Sequence, residues 1–383
     1  IMLFTIVGMM LMAASGELLS AYISLELLSF GLYVLVAYNR YDPKSNEAGT
    51  KYILLGAFSS ALLLYGISQI YGLTGTTRFD DINLALSTSS GISPGLLVGL
   101  VFIIAGLGFK VAAVPFHMWA PDVYEGAPTP VTAYLSVGSK AAAFALMLRF
   151  FSEALLPAGE EWQIILIVIA TLTMTLGNLV ALAQSNIKRL LAYSSIGHVG
   201  YLIMGIAAIT PINPLSDVPT AYSHLITNGI MLHLVAYAIA TMAIFTVASA
   251  VFNVTGKEEI ADFAGLAHHS PLLALTMTAS MFSLAGLPVF AGFISKFYLF
   301  NAVANQGLLW LAGLAILTSL VSLYYYLRVI RQIYIEPSFE NQILQVPRIT
   351  VGVLSVLLAS LIVIGVYPSP IMETVQHASN ALF

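Results

Sequence analysis

Long apolar runs separated by short polar turns alternate along the whole chain. A helix needs about 20 apolar residues to cross a bilayer. Eleven runs are candidates, near residues 1–15, 17–39, 49–72, 94–116, 130–152, 162–184, 188–209, 223–252, 271–302, 307–334 and 347–367. The pattern predicts an all-α polytopic membrane protein. The connections carry Pro, Asp and Asn, as in Asp42-Pro43-Lys44-Ser45-Asn46 and Thr210-Pro211-Ile212-Asn213-Pro214. None is long enough to separate soluble domains, so residues 1–383 read as a single membrane domain. The first run opens at Ile1 with no initiator Met and no signal-peptide n-region. An N-terminal part is therefore expected to precede it.

Two runs look interrupted. Ala105-Gly106-Leu107-Gly108-Phe109-Lys110 is followed by Pro115, and Ala285-Gly286-Leu287-Pro288 is followed by Gly292 and Lys296. They lie five spans apart and so enter from opposite sides. This suggests two inverted repeats, 1–155 and 160–335, with a last transmembrane helix in 340–383. Broken helices at matching positions of inverted halves point to a transport site. Gly and Pro are also common in transmembrane helices generally.

Composition supports the membrane reading and removes several chemistries. Hydrophobic residues make up 59% of the chain and charged residues 8%, with a mean hydropathy of +0.91. A soluble domain carries about 25% charged residues. There is no cysteine, which excludes disulfides, iron–sulfur clusters, thiolate zinc sites and thiol catalysis on this chain. The net charge of −4 implies no nucleic-acid partner. Neither a phosphate-binding nor a dinucleotide-binding motif occurs in a supporting context. His268-His269 is weak evidence for a metal, and no metal site is expected. Lys257-Glu258-Glu259 reads as loop surface. Asn253-Val254-Thr255 falls on the cytoplasmic side by the charge count below, so it is not a glycosylation candidate.

The charges themselves set orientation. One side of the predicted topology holds Arg40, Lys44, Lys51, Lys188, Arg189, Lys257, Arg328, Arg331 and Arg348, and the other holds Arg78 and Arg149. The excess marks the first side as cytoplasmic and places the C-terminus on the far side. Three lysines remain, Lys110, Lys140 and Lys296, all inside apolar runs together with Glu26. A charge at the bilayer centre costs about 2.5–3.5 kcal/mol on insertion scales.

Glu26 is roughly nine residues into its run, about 14 Å deep. It is either a neutral hydrogen-bonded carboxyl or a protonatable site. Lys110 precedes a predicted break, where freed carbonyls can hold an ammonium, and Glu26 is its candidate partner. The pair is then a switch, or else a permanent structural ion pair. Lys140 lies too deep to snorkel, whereas Lys296 allows some. His198, with Ser194 and Ser195 a turn away, could pass protons on or simply pack. His233 has the same two readings, with packing favoured. The aromatic and proline-rich stretch 115–130 reads as an interfacial loop, with Asp122 and Glu125 as solvated carboxylates or proton-access groups.

FKVAAVPFHMWAPDVYEGAPTP (109–130) and LELLSFGLYVLVAYNR around Glu26 resemble the chain N (subunit 2) family of the proton-pumping NADH:quinone oxidoreductase, respiratory complex I. NIKRLLAYSSIGHVGY (186–201) and SLAGLPVFAGFISKFYLF (283–300) are similar to the antiporter-like subunits more widely. PDVYEGAPTPV separates chain N from its sister chains M and L, and a lysine rather than a glutamate in the ninth span also favours chain N. The resemblance covers essentially the whole chain. It implies fourteen transmembrane helices, of which these would be helices four to fourteen. It also implies a proton relay through Glu26, Lys110, Lys140 and Lys296, with His198 as a further member. Electron transfer would occur on other subunits carrying FMN, iron–sulfur clusters and quinone, and no cofactor is expected on this chain.

The implied partners are other membrane subunits, including sister antiporter-like ones, with lipid and protons. The implied location is the bacterial inner (plasma) membrane. A cation/proton antiporter subunit and a passive scaffold are rival readings. So is the photosynthetic relative in a thylakoid membrane, which takes electrons from ferredoxin to plastoquinone.

Overall fold

The computed structural model describes residues 1–88, 93–209, 219–337 and 346–380. The predicted turn Thr210–Pro214 and parts of the predicted C-terminal segment 340–383 lie outside these residues. The described chain is almost wholly helical, with no β-strand. In order the helices are α1 Met2–Ala14, α2 Leu18–Val36, α3 Pro43–Thr74, α4 Phe79–Thr88, α5 Pro94–Val111 and α6 Trp119–Gly126. Then come α7 Thr129–Tyr134, α8 Lys140–Arg149, α9 Gly159–Ala181, α10 Ile187–Ala207, α11 Pro219–Thr255 and the single turn α12 Leu266–His269. The last five are α13 Pro271–Ala285, α14 Ala291–Asn305, α15 Leu309–Tyr334, α16 Arg348–Val366 and α17 Ser369–Asn380.

Nine helical segments among the described residues are long and apolar enough to cross a membrane. Two of the eleven predicted runs are not among them. Run 1–15 yields the 13-residue α1, about 20 Å long. Run 271–302 splits into α13 and α14, of 15 residues each. The stretch 115–130, expected to be an interfacial loop, holds the helix α6 over half its length, with Trp119 and Tyr124 buried. Pro121 is tolerated because it sits in the first turn, where no intrahelical N–H bond is lost. The amphipathic α17 was not predicted. It turns Met372 and Val375 inward and lies against α11 through a His224–Ser379 hydrogen bond.

Local chemistry sets several of these boundaries. Asp42 caps α3 by accepting from Lys44 N, with Pro43 at the first helical position. Ser93 and Pro94 do the same for α5, and Asn186 caps α10. α7 runs into α8 through the π-helical turn Leu135–Ser139, which ends immediately before Lys140. Such turns often mark functional positions because they rotate the residues that follow.

α10 is the central helix: of its 21 residues only Arg189 and Tyr193 are not buried. α9 packs against it closely because Gly177 lacks a side chain; a Cβ there would lie 2.6 Å from Gly197 N. Small residues at such contacts are how membrane helices approach one another. The predicted sorting of positive charge agrees with this packing. Lys44, Lys51, Lys188 and Arg189 share one end with Arg328, which donates to Leu182 O. Arg149 reaches Ala13 O at the opposite end, where Arg78 pairs with Asp81.

Candidate functional site

Both predicted breaks exist, but not in matching register. α5 continues through Ala105-Gly106-Leu107-Gly108 and stops only after Val111, whereas α13 stops at Ala285. Lys110 therefore belongs to the helix before its break, and Lys296 to the helix after its break. The four-residue likeness between the two segments is not a structural equivalence. Pro288 cannot continue a helix, while Gly108 can.

Each break includes a non-glycine residue with positive φ, Ala112 at 64° and Val289 at 82°. Such conformations cost about 1–3 kcal/mol and persist only where the surroundings enforce them. Trp119 Nε1 donates to Phe109 O and Val114 N donates to Thr173 Oγ1 at the first break; Gly292 N donates to Ser283 Oγ at the second. Backbone groups freed within a membrane protein thereby find partners inside the protein.

All three predicted lysines are buried. Lys110 Nζ donates to Ser29 Oγ at 2.8 Å. Glu26, a turn earlier on α2 and half-buried, accepts from Ser60 Oγ at 2.6 Å, and Ser60 is also bonded to Tyr22. No described ion pair joins Glu26 to Lys110; each bonds a hydroxyl, and Glu26 acts on Lys110 electrostatically from farther off. Lys140 Nζ donates to Ser195 Oγ and lies 5.6 Å from the Tyr124 ring centroid. Lys296 does not snorkel. Its ammonium donates to Leu284 O (2.6 Å), Ala285 O (3.2 Å) and Ser319 Oγ (2.8 Å). It thus caps the carbonyl end of α13, the negative end of that helix.

His198 and His233 stand between the last two lysines. His198 Nδ1 is 3.0 Å from His233 Nε2, and His233 Nδ1 is 3.0 Å from Ser295 Oγ, the residue before Lys296. On the other side, Ser195 Oγ shares a 2.7 Å hydrogen bond with Tyr237 OH, whose ring centroid is 5.3 Å from that of His198. In the sequence alone His233 reads as a packing residue, and nothing marks Tyr237 or Ser295. His233 and Tyr237 are four apart on α11 and so share a face, a spacing visible in the sequence once His198 is placed opposite. Among the described residues, no hydrogen-bonded route joins Lys110 to Lys140. Ser139 Oγ, next to Lys140, is buried without a protein partner. A groove of about 550 Å³ lined by Gly286, Phe297, Ile316 and Leu320 reaches Lys296 from the side of α14 and α15.

Asp122 and Glu125 are not free loop carboxylates. Asp122 bonds Lys51 (2.7 Å) and Arg189 (2.8 Å), and Glu125 bonds Lys44 (3.2 Å) and Arg189 (3.1 Å), tying α6 to α3 and α10. Glu258, read as loop surface, instead pairs with the buried Lys188 at 2.6 Å, and Glu259 joins Asp262 in a capping box. Burial pushes the Asp122 carboxyl up, but its bonds to Lys51 and Arg189 outweigh this and hold it below the usual carboxylate value. A depressed folded value means its stabilisation is present above the unfolded value of about 3.9 and is lost as pH falls through the folded one. The melting temperature of the solubilised complex is expected to drop more steeply from about pH 5 to pH 3 than that of the Asp122→Asn variant. Parallel curves in a pH-dependent thermal melt would rule this out.

Comparison with known proteins agrees with this architecture. Residues 15–322 match the family model described as NADH:quinone oxidoreductase/Mrp antiporter, TM. The chain is 47% identical to NADH-quinone oxidoreductase subunit N of Moorella thermoacetica, over 98% of this chain and 76% of that protein. A chain of respiratory complex I from Thermus thermophilus superposes with a TM-score of 0.80 at 33% identity, covering 97% of this chain and 78% of that one. A chain of an archaeal membrane-bound sulfane sulfur reductase superposes with a TM-score of 0.86 at 31% identity, over 99% of this chain and 74% of that one. A multi-pass helical protein with lysines buried beside broken helices, nearly half identical to a subunit N over almost its whole length, belongs to the NADH-quinone oxidoreductase subunit N family.

Proposed function

We propose that this chain translocates protons as a membrane subunit of an NADH-quinone oxidoreductase, along Glu26, Lys110, Lys140, His198, His233 and Lys296. The observation that carries the reading is the polar path between the last two lysines. It consists of two hydrogen-bonded segments, Lys140–Ser195–Tyr237 and His198–His233–Ser295, that meet at the Tyr237–His198 ring contact. A neutral imidazole accepts a proton on one nitrogen and releases one from the other, so His233, bonded through both nitrogens, can pass a proton between His198 and the Lys296 end. Water completes the path where buried hydroxyls such as Ser139 have no protein partner.

Quinone reduction takes place on other subunits, which carry FMN, iron–sulfur clusters and the quinone. A disturbance of Glu26 acts on Lys110 through the electrostatic attraction between them and changes which of the two holds the proton. The nine-to-two sorting of basic residues supports a cytoplasmic assignment for the Lys44–Arg189 end and a bacterial plasma membrane location. The apolar outer faces, including exposed Phe297 and Leu320, meet lipid and neighbouring membrane subunits, among them sister antiporter-like chains. The two halves, 1–155 and 160–335, act as inverted repeats in a single membrane domain, followed by a C-terminal transmembrane helix in 340–383.

His233→Leu keeps the side chain's bulk and removes both imidazole nitrogens. Proton transfer through this subunit is expected to fall at least about 10-fold, read in vesicles as the loss of its share of the protons pumped per electron by the assembled complex. Unchanged pumping together with unchanged quinone reduction would exclude His233 from the path.

A further inference from the structure

Lys296 has no acidic partner among the described ion pairs. All three ammonium contacts are neutral: Leu284 O, Ala285 O and Ser319 Oγ. One further group answers its charge. The Nζ atom lies 5.3 Å from the centroid of the Tyr201 ring, within reach of the negative face of an aromatic system. That ring is held from several sides. Asn178 Nδ2 donates to its phenolic oxygen at 3.1 Å, and Thr318 Oγ1 shares a 3.3 Å hydrogen bond with the same oxygen. Asn178 is itself fixed by Tyr325 OH, which donates to Oδ1 at 3.0 Å. Phe300 and His198 pack on the ring edge-to-face at 5.4 and 5.6 Å.

We propose that Tyr201, oriented by Asn178 and Thr318, is a positioning residue for Lys296, its ring face serving in place of a carboxylate counter-charge. A carboxylate in this low-dielectric setting would attract the ammonium strongly and itself compete for the proton. A ring face favours the cation more weakly and does not titrate in the working range, so a proton can be held and then released. Lys140 repeats the arrangement, with the buried Tyr124 ring 5.6 Å from its Nζ. Both lysines flanking the His198–His233 bridge thus face a tyrosine ring. The proposal rests on the relay reading above.

The other groups facing Lys296 bear on its pH dependence. α10 presents His198 as well as Tyr201, α11 presents His233 and α15 presents Ser319, with Tyr237 behind His198 and Tyr325 behind Asn178. α13 has no titratable side chain, and α16 has only Arg348, at its first residue.

The test is the pH profile of protons pumped per electron by the intact complex in vesicles. Tyr201→Leu is expected to move the alkaline limb down by about 0.5–1 pH unit, while Tyr201→Phe, which keeps the ring, retains the parent limb. Where Tyr201→Leu fails to assemble, progressively fluorinated phenylalanine at position 201 keeps the shape and weakens the ring face. The limb should then move down stepwise. A Leu profile, or a fluorinated series, that superposes on the parent would overturn the positioning role. Lys296→Ala separates the two readings: a lowered ratio of protons to electrons there leaves the relay standing whatever Tyr201 does, whereas the parent ratio removes the relay and this proposal together.

Discussion

Replacing Lys140 with methionine is expected to slow proton transfer through this subunit roughly 100-fold, a typical contribution of one positioned proton-transfer group. Lys140 is 3% exposed and sits directly after a π-helical turn that aims it at Ser195. Methionine preserves most of the stem volume, so the fold should tolerate it. Only the titrating nitrogen is lost, and Ser195 keeps its bond to Tyr237. Chain assembly, followed by native electrophoresis, is expected to match the parent, and pumping in vesicles to fall by this subunit's share. Loss of assembly would instead show that the ammonium's main contribution is structural.

The second large effect is expected at Gly292. A Cβ built there lies 1.7 Å from Ser283 O and 2.5 Å from Ser283 C, both backbone atoms. No rotamer change relieves such a contact, so α14 must move away from the end of α13. Overpacking of this kind costs about 1–3 kcal/mol, and more where the backbone has to shift. Gly292→Ala also threatens the Gly292 N–Ser283 Oγ bond and, with it, the two carbonyls that hold Lys296. The variant is expected to melt several degrees below the parent complex and to pump poorly. A parental melting temperature would show that the second break is more yielding than its contacts indicate.

The positions that cost most in a membrane were the ones legible in the sequence. Lys110, Lys140, Lys296 and Glu26 stood out because an apolar run offers them no solvent, and the structure buries all three lysines. Their neutral partners were not legible. Ser, Thr and Tyr are common in transmembrane helices, and nothing in the spacing of Ser29, Ser195, Ser319 or Tyr201 says which lysine each will meet. His233 reads as packing in the sequence because its contacts depend on α11 facing α10, a relation between helices rather than within one.

The breaks were found but misaligned, because Gly permits a helix to continue where Pro does not. α6 looks like a loop in the sequence because its prolines and aromatics mimic an interfacial belt; its ion pairs to Lys51 and Arg189 are long-range and invisible in one dimension. Depth suggests a Glu26–Lys110 pair and cannot reveal that Lys110 bonds Ser29 while Glu26 bonds Ser60.

The central claim, that protons cross through these buried lysines, is tested most directly by the number of protons translocated per electron in vesicles reconstituted with the Lys140→Met complex. The relay predicts a ratio below that of the parent at equal electron flux, because this subunit's share is missing. A ratio equal to the parent's, in a complex of the same subunit composition, would contradict it.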